Sequence, residues 1–162
     1  MILPEEIDRI PFLRNLSEPH AISLARLARL KEFPEGTVLF TEGQDSPLVY
    51  FVLQGTVALE AQAGDHGSVE VYSAGTGDLV GWSPVLGRYK MTATARAVTH
   101  CRAAVLDAGQ IRALWEKDPR FEAAFLREIA LVLSDRLSSS RHYLAYVPTL
   151  GAPPPPPVGR DG

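Results

Sequence analysis

Between Phe33 and Asp107 the chain repeats one short unit. A run of four to eight branched, aromatic or otherwise apolar residues is closed by a tight turn, and the pattern begins again. Val38 to Thr41, Leu48 to Leu53, Thr56 to Glu60, Val69 to Ser73, Lys90 to Ala97 and Thr99 to Leu106 read as strands. Pro34-Glu35-Gly36, Gln54-Gly55, Gly64 to Gly67 and Gly75-Thr76-Gly77-Asp78 read as the turns, with Glu42 to Ser46 a polar loop. Strands of this length, broken this often by glycine, cannot form a long-stranded parallel sheet. They close on themselves as a sandwich, jelly roll or barrel.

Helical patterns flank this region. Residues 1 to 30 read as helical: Ser17 stands at a capping position before Glu18 and Pro19, and Ala21, Ile22, Leu24, Ala25, Leu27 and Leu30 follow at helical spacing. Asp107 with Gln110 forms a capping pair ahead of Ile111, Leu114 and Trp115. Asp118-Pro119 opens a longer helix that runs to about Tyr146, roughly 40 Å at about 1.5 Å per residue. The expected fold is therefore mainly β with flanking helices, a jelly-roll-like β-roll with an N-terminal helix and a long C-terminal helix.

The last helix carries two apolar stripes. Phe121, Phe125, Ile129 and Val132 form one; Leu126, Ala130, Leu133, Leu137, Ser140, Leu144 and Val147 form the other, at alternating steps of four and three. One stripe suffices to pack on the β-region. The second predicts a homodimer through the C-terminal helix. After Pro148 the chain reads TLGAPPPPPVGRDG, which cannot continue a helix. The domain is expected to span residues 1–147. Residues 148–162 read as a proline-rich disordered tail, with docking to a protein partner as its other use.

Composition excludes several function classes. No apolar run approaches the roughly 20 residues of a membrane span, and MILPEEIDRI lacks the basic start of a signal peptide, so a cytoplasmic protein is expected, with no membrane contact. The net charge of -3 and the lack of a Lys/Arg run speak against direct nucleic acid binding. Cys101 is the single cysteine, and His20, His66, His100 and His142 are scattered with no His-x-His pair, so no metal site is expected. No G-x-S-x-G element or other nucleophile–base motif is present. The reading is a binding module rather than an enzyme.

The segments Phe33-Pro34-Glu35-Gly36-Thr37-Val38-Leu39-Phe40-Thr41-Glu42-Gly43, Tyr50-Phe51-Val52-Leu53-Gln54-Gly55-Thr56-Val57, Gly77-Asp78-Leu79-Val80-Gly81 and Thr92-Ala93-Thr94-Ala95-Arg96-Ala97 carry a resemblance. From residue 12 to about residue 147, the chain resembles the cyclic-nucleotide-binding domain family, the sensor domain of catabolite-activator-type proteins. The resemblance implies a cassette in which backbone N–H groups, an arginine, a ribose-binding glutamate and a small hydroxyl residue hold the cyclic phosphate. It places the ligand-binding residues at Gly81, Trp82, Ser83, Lys90, Met91, Thr92, Ala93 and Ser140. Gly81, Thr92 and Ala93 match the pattern. Trp82 stands at the glutamate position, and the arginine position falls at Met91, or at Lys90 if the gap shifts, in a segment one residue shorter than the family's. Arg88 lies nearby, out of register.

Cyclic AMP or cyclic GMP is the implied ligand. Losing a charge-assisted phosphate contact costs about 1.5–3 kcal/mol, one to two decades of affinity, so weak binding is expected. Trp82 could stack on a base, or plug the vacated pocket together with Met91. Haem, held by a neighbouring His and Cys in one relative, does not fit His100-Cys101, because adjacent strand residues face opposite ways. The function implied is a regulatory ligand-binding module that couples a small molecule to dimer or partner contacts. The other readings are a ligand-free interaction or accessory protein, or the sensor half of a transcription regulator, whose DNA-binding domain would need roughly 70 more residues.

Overall fold

The computed structural model describes residues 1–146, and the side chains of residues 1–138. Three short helices come first, α1 (Pro4–Ile7), α2 (Pro11–Arg14) and α3 (Glu18–Leu27). Eight strands follow: β1 (Arg29–Phe33), β2 (Val38–Phe40), β3 (Leu48–Gln54), β4 (Val57–Gln62), β5 (Ser68–Ala74), β6 (Leu79–Val80), β7 (Thr94–Ala97) and β8 (Cys101–Asp107). Helices α4 (Ala108–Lys117) and α5 (Pro119–Tyr146) close the described chain. The strands form two four-stranded antiparallel sheets, in the orders β1-β8-β3-β6 and β2-β7-β4-β5. This is the expected β-roll.

Strand β3 shows why the roll has two cores. Its side chains alternate across the sheet, and both faces are buried. Val49 and Phe51, with Leu79, Ala104 and Leu106, face the helices and pack with Phe12, Leu24, Ile111, Trp115 and Phe125. Tyr50 and Val52, with Val80, Ala103 and Val105, face the second sheet and meet Phe40, Val57, Leu59, Ala95 and Ala97. A strand buried on both faces needs an unbroken apolar run, which Leu48–Leu53 provides. Phe12 bridges Phe51 and Phe125 through edge-on ring contacts at 5.3 and 4.8 Å, and Trp115 meets Phe125 at 5.2 Å. This aromatic cluster seats α5 on the roll.

The capping expectations divide. Asp107 accepts from the Gln110 N–H at 3.1 Å, and Asp118 from those of Arg120 and Phe121 at 3.0 and 3.3 Å. Ser17 occupies the cap position of α3 but makes no side-chain cap bond. The N-terminal helical region is shorter than expected. It ends at Leu27, and Arg29–Phe33 instead pairs in register with β8, Arg29 opposite Val105. Arg29, Leu30, Lys31 and Glu32 are all exposed, so this edge strand has no apolar alternation to announce it. The segment read as a strand from Lys90 is regular only from Thr94, and Leu79–Val80, not read as a strand in the sequence, pairs with Tyr50 and Phe51.

Candidate functional site

The site begins where β6 ends. Gly81 has φ +75°, and a Cβ there would come within 3.1 Å of the Phe40 ring and 3.3 Å of the Leu48 carbonyl. Only glycine turns the chain here without strain or displacement. Trp82 caps a single 3-10 turn, Ser83–Leu86, which Gly87 terminates in the left-handed conformation. The Arg88 N–H returns to the Ser83 carbonyl at 3.0 Å. From α4, the Arg112 guanidinium donates to the Pro84 carbonyl at 2.7 Å and packs on the Tyr89 ring, 5.3 Å from its centroid. Arg112 also bonds the Tyr89 hydroxyl. The turn is thus held from both ends.

Residues 89–91 are fixed by the loop at 43–46. The Gly43 N–H donates to the Met91 carbonyl at 2.7 Å, the Met91 N–H to the Gln44 carbonyl at 2.8 Å, and the Ser46 N–H to the Tyr89 carbonyl at 2.8 Å. The backbone of Lys90 pairs with that of Asp45 as an isolated antiparallel bridge. With neighbours on an extended segment pointing opposite ways, Met91 turns inward and is buried, while Lys90 is exposed.

These elements enclose a cavity of about 520 Å³, lined by Phe40 and Leu59 from the second sheet, Gly81, Trp82, Ser83, Leu86 and Arg88 from the cassette, Met91, Thr92 and Ala93, and Leu133 from α5. Its size falls within the roughly 300–1,000 Å³ of small-molecule sites. The structure brings together Gly81, Trp82, Ser83, Met91, Thr92 and Ala93 of the sequence-expected set. It leaves Lys90 out: that side chain is not in the lining, because the 43–46 pairing sends it outward. Ser140 lies on α5, seven residues past Leu133, but its side chain is outside the described residues, as are Leu144, Val147 and the proline-rich segment.

Phe40, Leu59, Leu86 and Leu133 stood outside the sequence-expected set, and Arg88, out of register in the sequence, joins the lining. Among the described residues Arg88 is the one charged side chain in the lining, and Thr92 and Ser83 add hydroxyls to a mostly apolar wall. Ser83 reaches the Met91 sulfur at 3.9 Å. Trp82 is half-buried and borders open space, so it does not fill the pocket. Among the described residues no group of three His, Cys, Asp or Glu could hold a metal ion, and no helix is long and apolar enough to cross a membrane. His100 is exposed and Cys101 buried, its thiol donating to the Thr56 carbonyl at 3.1 Å.

Comparison with known proteins agrees with this architecture. The chain is 30% identical over 113 residues to a protein of Rhodopseudomonas palustris provisionally named a potassium channel protein, covering 70% of this chain and 27% of the relative. It is 27% identical over 129 residues to the CRP-like cAMP-activated global transcriptional regulator of Mycobacterium tuberculosis, covering 79% and 56%. The chain therefore spans only part of each of these curated relatives. A solved structure from Geobacter metallireducens, provisionally described as a cyclic nucleotide-binding protein, superimposes with a TM-score of 0.74 at 25% identity, covering 85% of this chain and 99% of that one. Residues 30–118, more than half the chain, match the profile of the cyclic nucleotide-binding domain, and the chain belongs to that family.

Proposed function

We propose that this chain is a regulatory module that binds a small planar anion of the cyclic-nucleotide class in the cavity between cassette and α5, and that occupancy is passed to α5 and to a second copy of the chain. The observation that carries the reading is the cavity itself, open, mostly apolar, and bearing Arg88 as the one charged residue among the described lining. The ring system would lie against Trp82 and Leu59, the anion against Arg88 with Thr92 and Ser83 donating hydroxyl bonds. The name of the Mycobacterium relative, cAMP-activated, supports cyclic AMP as the first candidate, with cyclic GMP as the second. Lys90 has no part in this site. Ser140 is kept as the residue of α5 that would reach the ligand's base.

The second copy is proposed because Leu126, Ala130, Leu133 and Leu137 stand exposed in a row on α5. Leu133 belongs both to this row and to the cavity wall, so a ligand pressing on it would act on the surface offered to the partner. The test is thermal stabilisation by cyclic AMP, cyclic GMP and linear AMP. Ligand at 100 times its Kd stabilises by about 2.7 kcal/mol, which a melting curve resolves. A cyclic nucleotide that raises Tm where linear AMP does not supports the reading. No shift at millimolar concentrations of either cyclic nucleotide removes it.

A further inference from the structure

Helix α5 carries a second side chain against the cassette, one helical turn beyond Leu133. Arg136 is 9% exposed. Its Nη2 donates to the Leu79 carbonyl of β6. Its guanidinium carbon lies 3.8 Å from the centroid of the Tyr72 ring of β5 and 5.0 Å from that of Trp82. Nη1 is buried with no hydrogen-bond partner. Trp82 lines the ligand cavity and Arg136 does not, so the cation supports the indole from outside the cavity.

A buried guanidinium with an unpartnered nitrogen is expensive. Desolvating a cation costs several kcal/mol, and a buried donor without an acceptor costs more. Burial presses the Arg136 guanidinium below its ordinary range, against the opposing pull of Tyr72, Asp78 and Asp135. An apolar side chain of similar length would fill the space without these costs. What only the cation provides is one point on α5 that holds β5, β6 and the cassette at once, through two ring faces and a carbonyl. Desolvated cation–π contacts are the strong ones of their kind.

We propose that Arg136 is a positioning residue for the cavity: its cation–π contact fixes the Trp82 ring, so that the cavity wall and helix α5 move as one body. This deepens the functional reading above, and its ligand arm rests on that reading. Its first arm does not.

The experiment uses the full chain labelled with 5-fluorotryptophan, which gives two 19F resonances, for Trp82 and Trp115; the Trp82 signal is the one lost in Trp82→Phe. In ligand-free protein, Arg136→Met is expected to shift the Trp82 resonance and raise its solvent isotope effect at least twofold, while Trp115 stays in place. Arg136→Lys, which keeps the charge, is expected to restore most of the parent signal. If Arg136→Met does not fold, Arg136→Gln, which keeps a donor for the Leu79 carbonyl without the charge, takes its place. A Trp82 signal unchanged in the neutral variant overturns the proposal, as does a lysine variant no closer to the parent than the neutral one. The second arm is cyclic AMP affinity, expected to fall fivefold to tenfold in the neutral variant and less in the lysine variant. Absence of cyclic AMP binding to the parent would defeat the ligand reading and leave the first arm to decide this one.

Discussion

Arg88 and Lys90 carry the same charge two positions apart, and the cavity uses only one. The difference comes from the pairing of residues 89–91 with 43–46, a contact between segments some 45 positions apart that no local pattern reveals. Arg88 follows the left-handed Gly87 and turns back over the cassette, whereas Lys90 sits outside beside Asp45. Replacing Arg88 by Ala should weaken cyclic nucleotide binding by one to two decades, the value of a charge-assisted contact of about 1.5–3 kcal/mol, and leave Tm nearly unchanged because the side chain is exposed. Lys90→Ala should leave affinity within twofold of the parent; titration of both variants checks the pair. Gly81 was legible as a site residue because it matches the cassette glycine of the family the chain resembles, and its φ of +75° shows why glycine stands there. Gly81→Ala should destabilise by about 1–3 kcal/mol in chemical denaturation, the strain being added to its contacts with Phe40 and Leu48.

Elements differ in how plainly they announce themselves. β3 was readable because both faces are buried and its run is unbroken. β1 was not, because its first four residues are exposed and the ladder with β8 holds it in place. Helix α5 was readable from its Asp-Pro start and its two stripes, and the inner stripe packs into the helical-side core. Phe125 is fully buried between Phe12, Trp115 and Phe121; Phe125→Ala should cost about 3–5 kcal/mol in the same denaturation measurement. The start of α5 is also tied to α3. His20 stacks on Phe121 at 4.7 Å and bonds the Asp118 carboxylate at 2.8 Å. That bond, with the backbone donors of Phe121 and Arg120, holds the Asp118 carboxyl below its ordinary value of 3.8. A carboxylate whose pKa is lower folded than unfolded stabilises above the unfolded value and loses that contribution as pH falls through the folded one. Tm should therefore drop as pH is lowered from about 4, and the drop should be shallower in Asp118→Asn.

At the scale of the molecule, three layers define what the chain can do. The first sheet, buried on both sides, separates a helical layer from the second sheet. The ligand cavity opens where α5 extends past that core to reach the cassette. The inner face of α5 is consumed by the aromatic cluster, and the outer face is left apolar, Leu137 at 55% exposed and Leu133 at 40%. A homodimer through this face predicts that the double variant Leu126→Asp, Leu137→Asp sediments as a monomer with its fold intact, while the parent sediments as a dimer; a parent that sediments as a monomer contradicts it. The β-roll and its long C-terminal helix were legible in the sequence, since β and helical periodicities are local. The cassette part of the cavity's lining was legible through the resemblance; Phe40, Leu59 and Leu133 were not, because β2, β4 and α5 bring them in from distant parts of the chain.

Everything proposed for this chain depends on the cavity beside Trp82 and Arg88 being a ligand site. Isothermal titration of the full chain with cyclic AMP, in parallel with the Arg88→Ala variant, tests it most directly. Saturable binding of one nucleotide per chain is expected, weakened tenfold or more in the variant. An absence of heat at millimolar nucleotide, or equal affinity in the two proteins, would contradict it.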